Sequence, residues 1–220
     1  MIPLRSTERV HSTAFVTGTL IAINLAVFLY QITLPSYSMR DFVDTWGIVP
    51  DRLRLITLFT SMFLHGGWMH LLGNMLFLWV FGRNLEDLIG GARFLIFYLV
   101  CGVIAAIAHV VVNIWSPTPT IGASGAIAGV MGAYLIKFPR ARIITLVPIF
   151  FFITTMEIPA AFLLLFWFAL QFMGTLTEST DSASGGGGTA WLAHIGGFVA
   201  GMLLIRMFPE RRQWKNWHWE

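Results

Sequence analysis

Charged residues and cysteine are scarce in this sequence, and each scarcity excludes a class of protein. Asp, Glu, Lys and Arg together make up 11% of the 220 residues, whereas a typical soluble domain carries about 25%. Hydrophobic residues make up 56%, and the mean hydropathy is +0.73. With a single cysteine, Cys101, the chain cannot form an internal disulfide. The composition therefore predicts a polytopic membrane protein with no soluble domain at either end.

Two motifs are missing from the sequence and its net charge is modest, which argues against zinc peptidases, aspartyl peptidases and nucleic-acid-binding proteins. The sequence contains neither the His-Glu-x-x-His motif of zinc peptidases nor a Gly-x-Gly-Asp motif for an aspartyl mechanism. The net charge is only +3, and the basic residues stand between apolar runs, so we expect no nucleic-acid partner. The sequence shows neither internal repeats nor paired broken helices, which argues against a small-molecule transporter. We predict no cofactor and no metal, since histidines without a neighbouring carboxylate or cysteine make a poor metal site.

The apolar runs predict an all-α protein with six membrane-spanning helices, since a span needs about 20 residues. The predicted helices cover 13–34, 68–81, 94–115, 124–138, 158 to about 174, and 190–208. The first run follows Arg5 and Arg9 and is interpreted as an uncleaved membrane anchor, because it is too long for the core of a signal peptide. We thus expect a cytoplasmic segment at 1–12, a helical domain at 13–208 and a basic, aromatic tail at 209–220.

The apolar stretch at 143–176 is ambiguous. It exceeds the length of one span, but Pro148 and Pro159 interrupt it and Glu157 lies between them. Two spans here would give seven helices and place the C-terminus outside. We favour an interfacial segment at 143–156, followed by the fifth helix.

Lysine and arginine are distributed unevenly between the loops, and this predicts the orientation in the membrane. They are concentrated at the two ends and in the second and fourth loops: Arg5, Arg9, Arg83, Arg93, Lys137, Arg140, Arg142, Arg206, Arg211, Arg212 and Lys215. The loops at 116–121 and 177–189 carry none, and only the first loop, which also holds three Asp, breaks the pattern. The positive-inside rule then places both termini in the cytoplasm. We expect a prokaryotic plasma membrane.

The fourth predicted helix is unusually short and begins at a serine. At about 1.5 Å per residue it would be roughly 22 Å long, less than the bilayer core of about 30 Å. If its basic end lies at the cytoplasmic face, Ser124 begins the helix below the opposite surface. A hydroxyl at that depth is consistent with a nucleophile in an aqueous cavity. Serine is also an ordinary helix cap, and small residues are ordinary in membrane helix packing.

Polar residues inside membrane spans are costly and indicate function by default. His70 and Asn74 stand four residues apart on the second helix, so they share a face, and His194 begins the sixth helix. Close approach of the fourth and sixth helices is favoured by two side-chain-free stripes, formed by Gly125, Gly129, Gly197 and Gly201. Such an approach would bring His194 within hydrogen-bond reach of Ser124.

Three motifs together resemble the signature of rhomboid intramembrane serine proteases. They are Gly-Ala-Ser-Gly around Ser124, Ala-His-x-x-Gly-x-x-x-Gly from His194 onward, and His65-x-x-x-x-His70-x-x-x-Asn74. The resemblance covers most of 59–201. It implies the six-helix rhomboid core with a short central helix 4, and cleavage of single-span transmembrane substrates within the lipid bilayer, near their outer end. The active site would open to the non-cytoplasmic side.

The resemblance also assigns roles to individual residues. Ser124 would be the nucleophile and His194 the general base, while His70, Asn74 and the backbone N–H of Ser124 would form the oxyanion hole. The motifs contain no carboxylate, so a dyad is implied instead of a triad. Many family members carry an aromatic residue one turn after the nucleophile, under the histidine ring. In this sequence that position is Ala128.

Other conspicuous residues receive structural interpretations. His65 is expected to shape its loop, and His11 and His109 match no motif. The aromatic residues of the fifth helix are interpreted as mostly lipid-facing, with part of them forming a lateral gate against the second helix: Phe162, Phe166, Trp167, Phe168 and Phe172. The main alternative function is a catalytically inactive rhomboid-like protein that binds and delivers membrane clients. Such relatives usually lack the serine or the histidine, and both are present here.

Overall fold

Apolar helices form most of the structure, a computed structural model that describes residues 1–149, 152–178 and 191–211. In chain order they are α1 Phe15–Gln31, α2 Ser36–Trp46, α3 Thr57–Thr60, α4 Trp68–Phe77, α5 Arg83–Ile89, α6 Gly91–Val112, α7 Ser124–Lys137, α8 Ala160–Glu178 and α9 Trp191–Leu204. A π-helical stretch, Leu78–Gly82, joins α4 to α5, so the helix predicted at 68–81 continues to Ile89. The predicted loop at 177–189 and the tail at 209–220 lie largely outside the described residues.

Helix length distinguishes α6 from the other apolar helices. Within the described ranges, α6 is the one helix that is both long and apolar enough to cross a bilayer by itself. The shorter apolar helical stretches are α1, α7, Ala160–Leu170 within α8, and Trp191–Met207, which comprises α9 and the 3-10 turn after it. Because α7 has only 14 residues, it ends well short of a full span, as predicted for the fourth helix.

The structure corrects the all-α prediction at two segments. Strands β1 Ile2–Ser6, β2 Arg142–Ile149 and β3 Phe152–Pro159 form an antiparallel sheet in the order β1-β2-β3. The described residues of the stretch at 143–156, predicted as an interfacial segment, thus belong to two paired antiparallel strands. Ile143 and Thr145 are buried while Arg142 is exposed, the two-residue alternation of a strand with one covered face. Its β-branched residues favour this conformation, and a long apolar run concealed the alternation.

The sheet connects the N-terminal residues to the helical core. β1 pairs with β2 from Ile2 opposite Leu146 to Ser6 opposite Ile143. The Ser6 hydroxyl also lies 2.6 Å from the Tyr134 hydroxyl of α7. At the other edge, the backbone N–H of Ala160 bonds the Ala141 carbonyl as β3 passes into α8. The separate segment predicted at 1–12 therefore contributes a strand to the folded domain.

Two buried carboxylates determine where α1 begins. Glu86 accepts the backbone N–H groups of Val16 and Thr17 at 2.9 and 2.7 Å, and Asp87 accepts those of His11 and Ser12, both at 2.9 Å. The first N–H groups of a helix lack partners within it, and its N-terminus favours negative charge. Glu86 therefore satisfies the first turn of α1, and Asp87 binds the segment that leads into it.

The closest helix packing is between α7 and α9, and glycine makes it possible. A Cβ on Gly197 would overlap the carbonyl oxygen of Gly125, and a Cβ on Gly201 would overlap that of Gly129. Without side chains at these positions the two backbones touch directly. α7 is buried along most of its length, with α6 against another side. This contact aligns the N-terminal ends of α7 and α9 beside each other.

Candidate active site

Ser124 and His194 meet where α7 and α9 begin. The Oγ atom of Ser124 lies 2.6 Å from Nε2 of His194, and the histidine is 7% exposed. A nucleophile and its general base are typically about 2.6–3.2 Å apart. The two residues are 70 positions apart in the chain, so the pair depends on the glycine contact between their helices. In this geometry the histidine can accept the serine proton.

The turn before Ser124 requires glycine at position 122. Gly122 has φ of 127°, and its N–H donates to the Ser61 carbonyl at 2.9 Å. A residue with a side chain rarely adopts this φ. A Cβ here would also lie 2.7 Å from the His70 ring and 3.8 Å from Nδ2 of Asn74. Because Gly122 has no side chain, His70 and Asn74 can approach the backbone of this turn, two residues before Ser124.

Asn74 is held by a chain of contacts that begins on α1. Its Nδ2 lies 3.0 Å from Nε2 of His65. The Gln31 side chain makes two hydrogen bonds to the backbone of His65: it accepts the N–H at 3.0 Å and donates to the carbonyl at 3.3 Å. Burial, reinforced by the nearby His70, lowers the pKa of His65 to about 4. A neutral His65 can accept one amide hydrogen of Asn74, and the amide carries a second.

A small cavity of about 30 Å³ lies beside the nucleophile. Ser61, His109, Thr120 and Ser124 provide its polar lining. Nε2 of His109 lies 2.9 Å from the Thr120 hydroxyl, so this histidine also ties α6 to the loop before the serine. The volume is enough for a water molecule, which needs about 10–15 Å³ and two or more polar partners.

The aromatic residues of α8, predicted to face mostly lipid, divide between an exposed face and a face that packs on α9. Phe162 and Phe166 are exposed, with ring centroids 6.2 Å apart. Trp167 and Phe168 instead turn inward: the Trp167 centroid is 5.6 Å from that of His194, and Phe168 is 4.8 Å from Phe198. The side chain of Phe172 lies outside the described residues. Trp167 therefore contacts α9 at the candidate base. The predicted gate would instead have placed part of this aromatic cluster against α4.

Sequence reasoning missed two contributors to this site. Gln31 is a buried polar residue in an apolar helix, which is a recognisable signal, but its contact with His65 spans 34 positions. Trp167 carried no signal beyond its place in an aromatic run. Among the described residues, no three His, Cys, Asp or Glu side chains converge on a possible metal position.

Sequence comparison identifies the family to which this mostly helical chain belongs. Residues 52–211, well over half of the chain, match the rhomboid domain. The chain belongs to the rhomboid family, and the resemblance seen in its three motifs is confirmed. Rhomboid proteins are integral membrane proteins, and the family includes serine proteases.

Individual relatives support the same family. The chain is 30% identical over 201 residues to Rhomboid protein 1, mitochondrial, of Saccharomyces cerevisiae, covering 84% of this chain and 50% of the yeast protein. It is 28% identical over 208 residues to Presenilin-associated rhomboid-like protein, mitochondrial, of Homo sapiens, covering 91% and 50%. It is 46% identical over 78 residues to Rhomboid protease GluP of Bacillus subtilis, covering 36% and 15%. The chain thus spans half or less of the length of these relatives.

Proposed function

We propose that this protein is an intramembrane serine endopeptidase that uses Ser124 and His194 as a catalytic dyad. The observation that carries the proposal is the partly buried 2.6 Å contact between Ser124 Oγ and His194 Nε2. Serine is a weak nucleophile until a base takes its proton. As Oγ attacks the substrate carbonyl carbon, its proton passes to Nε2. The resulting imidazolium then protonates the departing amine, which leaves an ester on Ser124.

The rest of the site supports the other steps of this reaction. His70, Asn74 and the backbone N–H of Ser124 are proposed as donors to the oxyanion, because His70 and Asn74 border the Gly122 turn. Donors fixed in advance stabilise the charge that develops in the transition state. Water from the cavity beside Ser124 would hydrolyse the ester, with His194 again accepting a proton. The product carboxylic acid then leaves and the serine is restored.

The proposed substrates are single-span membrane proteins. In the proposed arrangement six helices cross the bilayer, both termini are cytoplasmic, and the site opens to the non-cytoplasmic side of a prokaryotic plasma membrane. The helical domain would cover 13–208, flanked by 1–12 and the tail at 209–220. A peptide bond within a membrane helix is shielded by the helix's own hydrogen bonds, so the substrate must unwind locally before Ser124 can attack.

Reaction with a fluorophosphonate probe in detergent tests the proposed chemistry directly. We expect covalent labelling of one peptide, with the adduct on Ser124 by mass spectrometry. Ser116→Ala, which changes a serine in the loop before the site, should leave labelling intact. If the folded protein is labelled elsewhere or remains unlabelled, the dyad is not active. The inactive, client-binding alternative would then explain the chain better.

The contribution of Asn74 can be measured by replacing it with alanine. We expect Asn74→Ala to lower the cleavage rate by roughly 10–10³-fold without abolishing it, because His70 and the backbone N–H would still bind the oxyanion. The matched control is Asn84→Ala, which also removes a buried amide, but one that bonds the Glu8 carbonyl instead of a site residue. Rates are compared at saturating substrate in detergent. Equal rates for the two variants would remove Asn74 from the oxyanion hole.

A further inference from the structure

The imidazole of His194 is packed against a tryptophan from a different helix. The ring centroids of Trp167 and His194 are 5.6 Å apart, with an angle of 44° between the ring planes. Trp167 also lies 6.3 Å from Phe198, one turn further along α9. α8 packs mainly on α9, so this contact is part of the interface between the two helices. Trp167 therefore bounds one side of the candidate base.

The central helix cannot provide an aromatic surface of this kind at the first turn after the nucleophile. That position is Ala128, which is fully buried and offers only a methyl group. On α9 itself, Trp191 meets His194 edge-on, with centroids 6.2 Å apart and planes at 87°. Trp167 and Trp191 thus contact the imidazole from two different helices. Of the two tryptophan rings, that of Trp167 is more nearly parallel to the imidazole.

We propose that Trp167 is a positioning residue for His194, an inference that rests on the proposed function. Its ring keeps the imidazole oriented with Nε2 toward Ser124. When Ser124 transfers its proton, His194 becomes a cation next to the ring, and tryptophan is the side chain whose π-system attracts cations most strongly. Trp167 therefore supports both the orientation of the base and the charge that it acquires, without touching the substrate.

The inner face of α8 provides a matched pair of variants for the test. Trp167→Leu and Phe168→Leu each replace a partly buried aromatic residue at the α8–α9 interface with leucine. Only the first removes a ring from His194, because Phe168 packs on Phe198. Thermal stability of the two variants should therefore fall by similar amounts. Trp167→Phe retains an aromatic ring with a weaker attraction for cations.

The measurement is the rate at which a small soluble fluorophosphonate modifies Ser124, together with kcat and KM for a single-span substrate. We expect Trp167→Leu to lower the modification rate and kcat by about three- to thirtyfold relative to Phe168→Leu, with similar KM. Trp167→Phe should recover much of the loss. If Trp167→Leu fails to fold, Trp167→Met and Phe168→Met take the place of the leucine pair, and equal modification rates for these two variants overturn the proposal.

The outcomes separate this inference from the function on which it rests. If wild-type Ser124 is not modified, the proposed function fails and the inference fails with it. If wild type reacts but Trp167→Leu and Phe168→Leu react at the same rate, only the positioning role is overturned. A loss confined to KM would also overturn it, because that result would mark Trp167 as part of substrate binding.

Discussion

We expect cleavage of a single-span membrane substrate to fall to background in the Ser124→Ala variant, while the protein stays folded. Removing the nucleophile of a serine protease lowers kcat by roughly 10⁶-fold. Ser124 is the first residue of α7 and not its N-cap, which is Ala123, and alanine favours helix more than serine does. The midpoint of thermal unfolding should therefore stay close to that of wild type.

Comparison with a second serine variant makes the result specific. Ser61→Ala changes another hydroxyl that lines the cavity beside the nucleophile, but the bond from Gly122 goes to the Ser61 backbone carbonyl and is retained. We expect this variant to keep the fluorophosphonate reaction at Ser124. Cleavage by Ser124→Ala above about a hundredth of the wild-type rate would point to another nucleophile and contradict the dyad.

Local sequence patterns predicted most of the helices. α6 was predicted at 94–115 and lies at Gly91–Val112, and α7 was predicted at 124–138 and lies at Ser124–Lys137. Uninterrupted apolar runs and their polar flanks carry this information, since a span has a required length. The glycine spacing on α7 and α9 also predicted that these helices pack closely. In the structure the backbones of Gly129 and Gly201 are in contact.

Features that depend on distant residues could not be predicted in the same way. Strand β2 pairs with β3 and also with β1, which lies more than 130 residues earlier in the chain. Its apolar run fits a helix equally well until that partner is known. The contact between Trp167 and His194 likewise depends on how α8 rotates about its axis. Leu163, Leu164, Trp167 and Phe168 share its inner face, a choice set by packing.

Gly201 is the position where a single added methyl group should do the most damage to the site without touching it. A Cβ there would overlap the carbonyl oxygen and carbonyl carbon of Gly129, and the overlapping atoms are backbone that cannot rotate away. The two helices must then separate. Overpacking of this kind costs about 1–3 kcal/mol of folding free energy, and occasionally more. The separation also moves α9, and with it His194, away from Ser124.

Gly201→Ala should therefore lower cleavage by more than about 10²-fold, because a displacement of roughly 1 Å at a catalytic pair has that effect. Modification of Ser124 by a soluble fluorophosphonate should fall in parallel, since the base no longer reaches the nucleophile. Gly73→Ala is the matched control: it also adds one methyl group to a helix, but nothing lies within 4 Å of the added atom. Alanine raises helix propensity by about 1 kcal/mol, so the control should be as stable as wild type or more so. Equal activity in the two variants would show that the direct backbone contact of α7 and α9 does not hold the dyad together.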